Sequence, residues 1–268
     1  MRAPLDQTTH LITGASAGIG VELARQLAPR AGTLILVARR RERLEALAEE
    51  LRAGRPGLTV QVETCDLADP AALAALVDRL PPIDILINNA GMGDIGLFER
   101  SDPAKTDLMM RINMTAPVGL TRALLPGMVA RGRGGVLNIS SGFGMTVMPG
   151  FAAYCATKHF VTAFTEALRM ELSGTGVVAT QSCPGPVATE FEAVAGNPTG
   201  QKIPEFLEQS AADCARISLR AFERGRAMIT PGIAATVLIG LGRMTPRWLQ
   251  RLIFARGGRY LRRSTPPA

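Results

Sequence analysis

The sequence predicts an α/β fold: a single domain built on a doubly wound parallel sheet of about seven strands, followed by a C-terminal helical extension. Three observations predict it. Short, wholly apolar runs alternate with longer segments of helical periodicity, the pattern of strands covered on both faces by crossover helices. A glycine-rich turn joins the first apolar run directly to the first helical pattern. A chain of 268 residues with 47% hydrophobic content is enough for one domain with a substantial core.

In chain order, residues 10–13 form a short apolar strand that runs into Thr13-Gly-Ala-Ser-Ala-Gly-Ile-Gly20. Gly14, Gly18 and Gly20 stand where a backbone must bend sharply and let a pyrophosphate approach a helix start. The helical pattern 21–27 that follows supplies that start. Residues 33–40 make the second strand, with a helix over 41–51 behind it, and residues 58–62 the third. Asp69 or Pro70 opens an alanine-rich helix reaching Leu80, and residues 83–87 are the fourth strand, ending in Asn88-Asn-Ala-Gly91. Gly91 permits close approach of backbone to a ligand. Residues 101–131 read as one long helix, bent just beyond Asn113 because Pro117 removes a helical hydrogen bond. Residues 136–139 are the fifth strand, 177–182 the sixth and 226–230 the seventh, the last preceded by a helix ending near Arg224. Between them, residues 191–208 are irregular, with Gly196, Pro198, Gly200 and Pro204, and suit a mobile lid.

Chemistry concentrates between Ser141 and Lys158. If the chain is helical from Ala152 onward, Tyr154 and Lys158 project from one face, one turn apart. A phenol titrates near pH ~10, and an ammonium within ~4 to 6 Å favours the phenolate. The expectation is therefore a Tyr154 pKa drawn toward neutrality, so that the side chain gives a proton to a ketone oxygen or takes one from an alcohol. Ser141, thirteen residues before Tyr154 at the end of a strand, can return its hydroxyl to the same oxygen; Ser140 competes for that role. His159 points about 100° away from Lys158 on a helix and reads as a packed residue.

Together with the glycine turn, Asn88-Asn-Ala-Gly91, Asn113 and Pro184-Gly185, this set closely resembles the short-chain dehydrogenase/reductase family over roughly residues 8–230. The resemblance implies a Rossmann-type fold, hydride transfer between a nicotinamide and a carbonyl or alcohol, and a homodimer or homotetramer. It makes Tyr154 the general acid/base and selects Ser141 over Ser140 to orient the oxygen. Lys158 tunes Tyr154 and holds the nicotinamide ribose, while Asn113 holds a water that continues the proton relay. Cofactor contacts fall on Gly14, Ser16, Gly18, Ile19 and Gly20 at the turn, and on Asp66 and Leu67 at the adenine. Asn89, Ala90 and Gly91 lie against the cofactor, and Pro184, Gly185, Val187 and Thr189 clasp the carboxamide and phosphates. Members that use NAD commonly carry an acid after the second strand, whereas this chain has Ala38 and then Arg39 and Arg40. Guanidinium groups there suit a 2'-phosphate, so the expected cofactor is NADP(H).

The substrate walls expected are Met92 with Gly93, residues 143–151 and the lid. Their side chains are almost all apolar: Phe143, Met145, Val147, Met148 and Phe151 from one segment, Phe191, Val194 and Phe206 from the lid. No arginine or lysine stands near Ser141 in sequence, which points to a lipophilic ketone, aldehyde or secondary alcohol.

Residues 1–232 form the cofactor-binding and catalytic domain in this reading, and 233–268 the extension. The formal charge of +7 belongs to the tail: nine arginines follow Glu223, the last acidic residue, leaving 21 basic against 23 acidic residues before them. That distribution argues against nucleic acid as a partner. The apolar run 233–241 is too short to span a bilayer. With Trp248, Leu249, Leu252 and Ile253 beside Arg247 and Arg251, the tail reads as an interfacial helix at a membrane surface, or as a packing element on the domain or a second subunit. Four cysteines without a paired spacing and only two histidines exclude a metal centre and a histidine triad, and suit a reducing, cytoplasmic setting. The rival reading is a catalytically silent cofactor-binding interaction protein. Such a chain is expected to have lost Tyr154 or Lys158, and both are present.

Overall fold

The computed structural model describes residues 2–196, 204 and 207–264. Strands β1 (Thr9–Thr13), β2 (Thr33–Ala38), β3 (Thr59–Thr64), β4 (Ile85–Asn88), β5 (Gly134–Ile139), β6 (Val177–Ser182) and β7 (Met228–Ile229) form one sheet in the order 3-2-1-4-5-6-7. Every pairing is parallel. Such a sheet needs cover on both faces, which is why its strands read as continuous apolar runs.

Helices α1 (Gly18–Leu27), α2 (Arg41–Gly54) and α8 (Ala211–Glu223) cover one face, packing Leu23, Leu44 and Phe222 into a core with Leu34 and Leu36. Helices α3 (Pro70–Arg79), α5 (Ala116–Ala130) and α6 (Ala152–Glu171) cover the other with Leu76, Leu120 and Leu168, against Ile35 and Val37. Alternate residues of β2 thus feed opposite cores, the period of two that a strand imposes. The strand order reverses between β1 and β4, and a crevice opens at the carboxyl ends of the strands there, where α/β sheets bind ligands.

Several boundaries differ from the sequence reading, each for a local reason. β2 stops at Ala38, so Arg39 and Arg40 stand beyond the sheet. The long helix is three pieces: α4 (Pro103–Met110), a π-helical turn at Arg111–Thr115, and α5. Pro117 sits in the first turn of α5, and the missing bond to the carbonyl four residues earlier is absorbed upstream, around Asn113 itself. The lid begins with a short helix, α7 (Phe191–Ala195), and Phe206 lies outside the described residues. The extension folds as α9 (Ile233–Met244) and α10 (Arg247–Ser264), with Pro246 between them. Both lie against the segment that follows Ser141. A Cβ added to Gly142 would fall 2.6 Å from Ile239 of α9, and one added to Gly150 would fall 2.9 Å from Leu261 of α10.

Candidate active site

The glycine turn is fixed by its neighbours. Gly14 and Gly18 hold φ of +67° and +54°, and a Cβ on Gly14 would meet the Ala90 backbone and the Asn89 side chain at 2.9 Å. The Thr13 hydroxyl accepts from the backbone N–H of Asn89 and of Ala90, each at 3.0 Å, while Asn89 donates back to the Thr13 carbonyl at 2.9 Å. These bonds hold the turn against the end of β4. At the start of α1 the N-cap residue Ala17 offers no side-chain bond, so the first N–H groups face the crevice without a side-chain acceptor from the cap.

The crevice holds about 510 Å³. Gly14, Ser16, Gly18 and Ile19 line one side, Arg39, Arg40, Asp66 and Leu67 its outer end, and Asn89, Ala90 and Gly91 its floor. Met92, Thr189, Phe191 and Val194 close the inner end. This glycine-lined crevice beside an open helix start and two arginines fits a dinucleotide. Asp66 also accepts from the backbone N–H of Ala68 at 3.1 Å. Gly20 lies behind the turn, where a Cβ would meet the Gly14 carbonyl. Pro184, Gly185 and Val187 are not among the lining residues: Gly185 packs against Ala235 of α9, and Val187 bridges to Gln209.

One feature of the crevice had no signal in the sequence. Arg40 donates to the Ser16 hydroxyl at 3.2 Å and to the Glu190 carboxylate at 2.7 Å, and Arg43 donates to the other oxygen of Glu190 at 2.6 Å. Arg43, then Arg40, hold the Glu190 carboxyl below its usual range. The residue preceding the lid helix is thereby tied to the start of α2 across the outer end of the crevice.

The reactive groups meet where β5 and α6 converge. Of the two serines, Ser140 is buried and bonded to the Lys158 carbonyl and to Thr162, each at 3.1 Å. The Ser141 hydroxyl accepts from the Phe143 N–H at 3.2 Å and hydrogen-bonds Tyr154. Lys158 Nζ lies 5.8 Å from the centroid of the Tyr154 ring and donates to the Ile139 carbonyl at 3.1 Å. Gly91 comes close to Lys158 Nζ and to the Asn113 side chain, 3.4 Å from each for an added Cβ. Asn113 is buried and fully engaged: it accepts from the Met92 N–H and donates to the Met92 carbonyl and to Thr157.

The Tyr154 pKa departs from the sequence expectation. Burial raises it above the ordinary value, and the Ser141 hydrogen bond lowers it only in part. The burial comes from an aromatic box that periodicity does not reveal: Phe191 at 5.4 Å, Phe143 at 6.2 Å and Phe151 at 6.4 Å between ring centroids. Lys158 is pushed down to about 8 by the same desolvation. As folded, the site keeps Tyr154 as a neutral phenol, with Phe191 of the lid helix lying over it.

The apolar wall differs as well. Phe143 and Phe151 pack with their ring centroids 4.7 Å apart and the planes tilted by 34°, and Met148 is exposed. Arg243 of α9, however, reaches Met145, with Nη1 at 3.7 Å from the sulfur. Arg243 and Lys158 both help to lower the Cys183 thiol, which burial pushes up to about 11. A cation distant in sequence therefore stands beside a wall expected to have none.

A sequence profile described as short chain dehydrogenase matches residues 8–198. The chain is 38% identical over 209 residues to an NADP-dependent 3-hydroxy acid dehydrogenase of Salmonella typhi, covering 75% of this chain and 82% of that protein. Among solved structures it is similar to a short-chain dehydrogenase from Sphingobium yanoikuyae in complex with NADPH, with TM-score 0.78, 34% identity and 94% of each chain covered. It is also similar to a bulky-bulky ketone specific alcohol dehydrogenase from Comamonas testosteroni, with TM-score 0.75, 30% identity, and 94% of this chain and 92% of that one covered.

Proposed function

The chain belongs to the short-chain dehydrogenase/reductase family, oxidoreductases acting on alcohol and carbonyl groups with a nicotinamide cofactor, and from that premise we propose that it is an NADP(H)-dependent reductase of lipophilic ketones or aldehydes. The observation that carries the proposal is the gathering of Ser141 and Lys158 about Tyr154, with Nζ 5.8 Å from its ring centroid, at an aromatic wall. NADPH, when bound, supplies the hydride. Gly14 and Gly18, the open start of α1, and Arg39 and Arg40 would hold it, the arginines at the 2'-phosphate.

In the proposed direction, Ser141 holds the carbonyl oxygen and Tyr154 delivers its proton to that oxygen as the carbon is reduced. The phenolate left behind is favoured by Lys158, and the neutral resting phenol is the form a proton donor requires. Asn113 holds Met92 and Thr157 in place, with its side-chain oxygen close to Gly91, which Lys158 Nζ also approaches. Purified protein with NADPH should reduce ketones, aldehydes and quinones of graded chain length with kcat/KM rising with apolar size. A flat profile would overturn the substrate class.

Arg243 favours a second reading, in which the ketone also carries a carboxylate, as does the 3-hydroxy acid for which the Salmonella typhi relative is named. Preference for 3-oxo acids over equally long neutral ketones, abolished by Arg243→Gln, would decide for it.

A further inference from the structure

We propose that α9 and α10 form a docking face for an anionic lipid bilayer, set directly beside the wall of the substrate site. The inference rests on the reading of the substrate as lipophilic. In α9 the usual amphipathic arrangement is inverted. The small or fitted residues Ala235, Ile239 and Gly242 face the domain, against Gly185, Gly142 and Thr146. Ile233, Val237, Leu241 and Met244, at helical spacing on the opposite side, are exposed, the first and last by 87% and 84%. The pattern continues in α10, where Trp248 is 66% exposed and Leu252 and Ile253 are also exposed. An apolar stripe of this length turned to solvent marks an interaction surface.

Charge identifies the partner. Arg243, Arg247, Arg251, Arg256 and Arg259 stand exposed on the same two helices, and no acidic residue follows Glu223. A second copy joined through this face about a two-fold axis would set arginine against arginine with no carboxylate of the face between them. A bilayer bearing anionic headgroups supplies both what the apolar stripe and what the arginines lack. The helices would lie in that surface; no helix among the described residues is long and apolar enough to cross it.

The position of the face gives it a use. Val147 and Met148 are exposed, and they lie between Thr146, which meets α9 at Gly242, and Pro149, which meets α10 at Gly258. The same segment ends in Phe151, whose ring packs toward Tyr154. A ketone dissolved in the bilayer would therefore reach the aromatic wall along apolar surface.

The test uses the full chain and vesicles of phosphatidylcholine with or without phosphatidylglycerol. Co-sedimentation is expected only with phosphatidylglycerol present, and release on raising salt, since screening shortens from ~10 Å at 0.1 M to ~3 Å at 1 M. Trp248 is the only tryptophan, so its emission should shift to the blue on binding. Leu241→Glu with Leu252→Glu, at exposed positions that leave the fold alone, should lose the pellet and the blue shift while keeping NADPH binding and turnover of a short, water-soluble ketone. An intact chain that stays in the supernatant, or variants that pellet unchanged, would overturn the proposal. So would a fall in molecular mass of these variants by light scattering, which would make the face a contact between copies. Pelleting without reduction of any lipophilic ketone would keep the docking face and remove the substrate class; reduction without pelleting would do the reverse.

Discussion

Tyr154 sits where two demands conflict: the aromatic box that would wall in the proposed lipophilic ketone also strips water from the phenol and resists its ionisation. Tyr154→Phe keeps the packing and removes only the proton, so turnover should fall by ~10² to 10⁴, with NADPH affinity unchanged in a fluorescence titration. Activity retained at more than a few per cent would dismiss the assignment. At the outer end of the crevice, Arg39→Ala should weaken NADPH binding by ~1.5 to 3 kcal/mol and NADH little. Glu190→Gln should act oppositely: freeing Arg43 and Arg40 from their carboxylate should tighten NADPH a few-fold and leave NADH alone, read by the same titration. His10, buried in β1, is unrelated to the chemistry but sets an acid limit. Burial holds its pKa down to about 4 against 6.5 unfolded; Nε2 meets the Leu5 carbonyl, and Nδ1 has no partner among the described residues. The folded chain thus binds fewer protons between those values, so stability is full above pH 6.5 and is lost as pH falls toward 4, by on the order of 3 kcal/mol. His10→Gln should flatten that stretch of a denaturation midpoint against pH profile.

Among the elements, those whose cause is local were legible in the sequence and those made by distant contacts were not. Tyr154 and Lys158 share a face because both lie on one helix, and the glycine turn announces itself between a strand and a helix. Pro117 announced a distortion, but its form, a π-helical turn at Asn113, depends on the bonds from Asn113 to Met92 and Thr157. Irregular composition marked the lid, yet nothing in it said that α7 would lay Phe191 over Tyr154 or that Glu190 would grip two arginines about 150 residues away. Since Phe191 also presses on Gly93, where an added Cβ would fall within 2.4 Å of its ring, α7 must yield for a large substrate to reach Tyr154. Phe191→Ala should raise kcat/KM for bulky ketones relative to small ones in steady-state assays. An unchanged ratio would mean that the access path lies elsewhere.

At the scale of the whole molecule, the alternation of apolar runs and helices carried the sheet, because parallel strands buried on both faces leave a pattern that needs no tertiary knowledge. The extension left no comparable signal. Its outward residues are as apolar as a core, so composition alone could not say which side of α9 meets the domain; the small residues Ala235 and Gly242, beside Gly185 and Thr146, decide it. The cofactor crevice is lined entirely by residues 14–194, whereas the segment after Ser141 is braced by Ile239 and Leu261 and touched by Arg243. Cutting the chain after Gly232 should therefore separate the two halves of the site. NADPH affinity should stay within a few-fold, while turnover of every ketone falls and the midpoint of thermal unfolding drops, because Gly142, Gly150 and Gly185 lose the surfaces packed on them. Cofactor titration, steady-state kinetics and thermal denaturation on one preparation would check all three. A truncated chain that binds NADPH and turns over short ketones at the full rate would show that α9 and α10 do not brace the catalytic wall, and would leave the outward face as the extension's whole purpose.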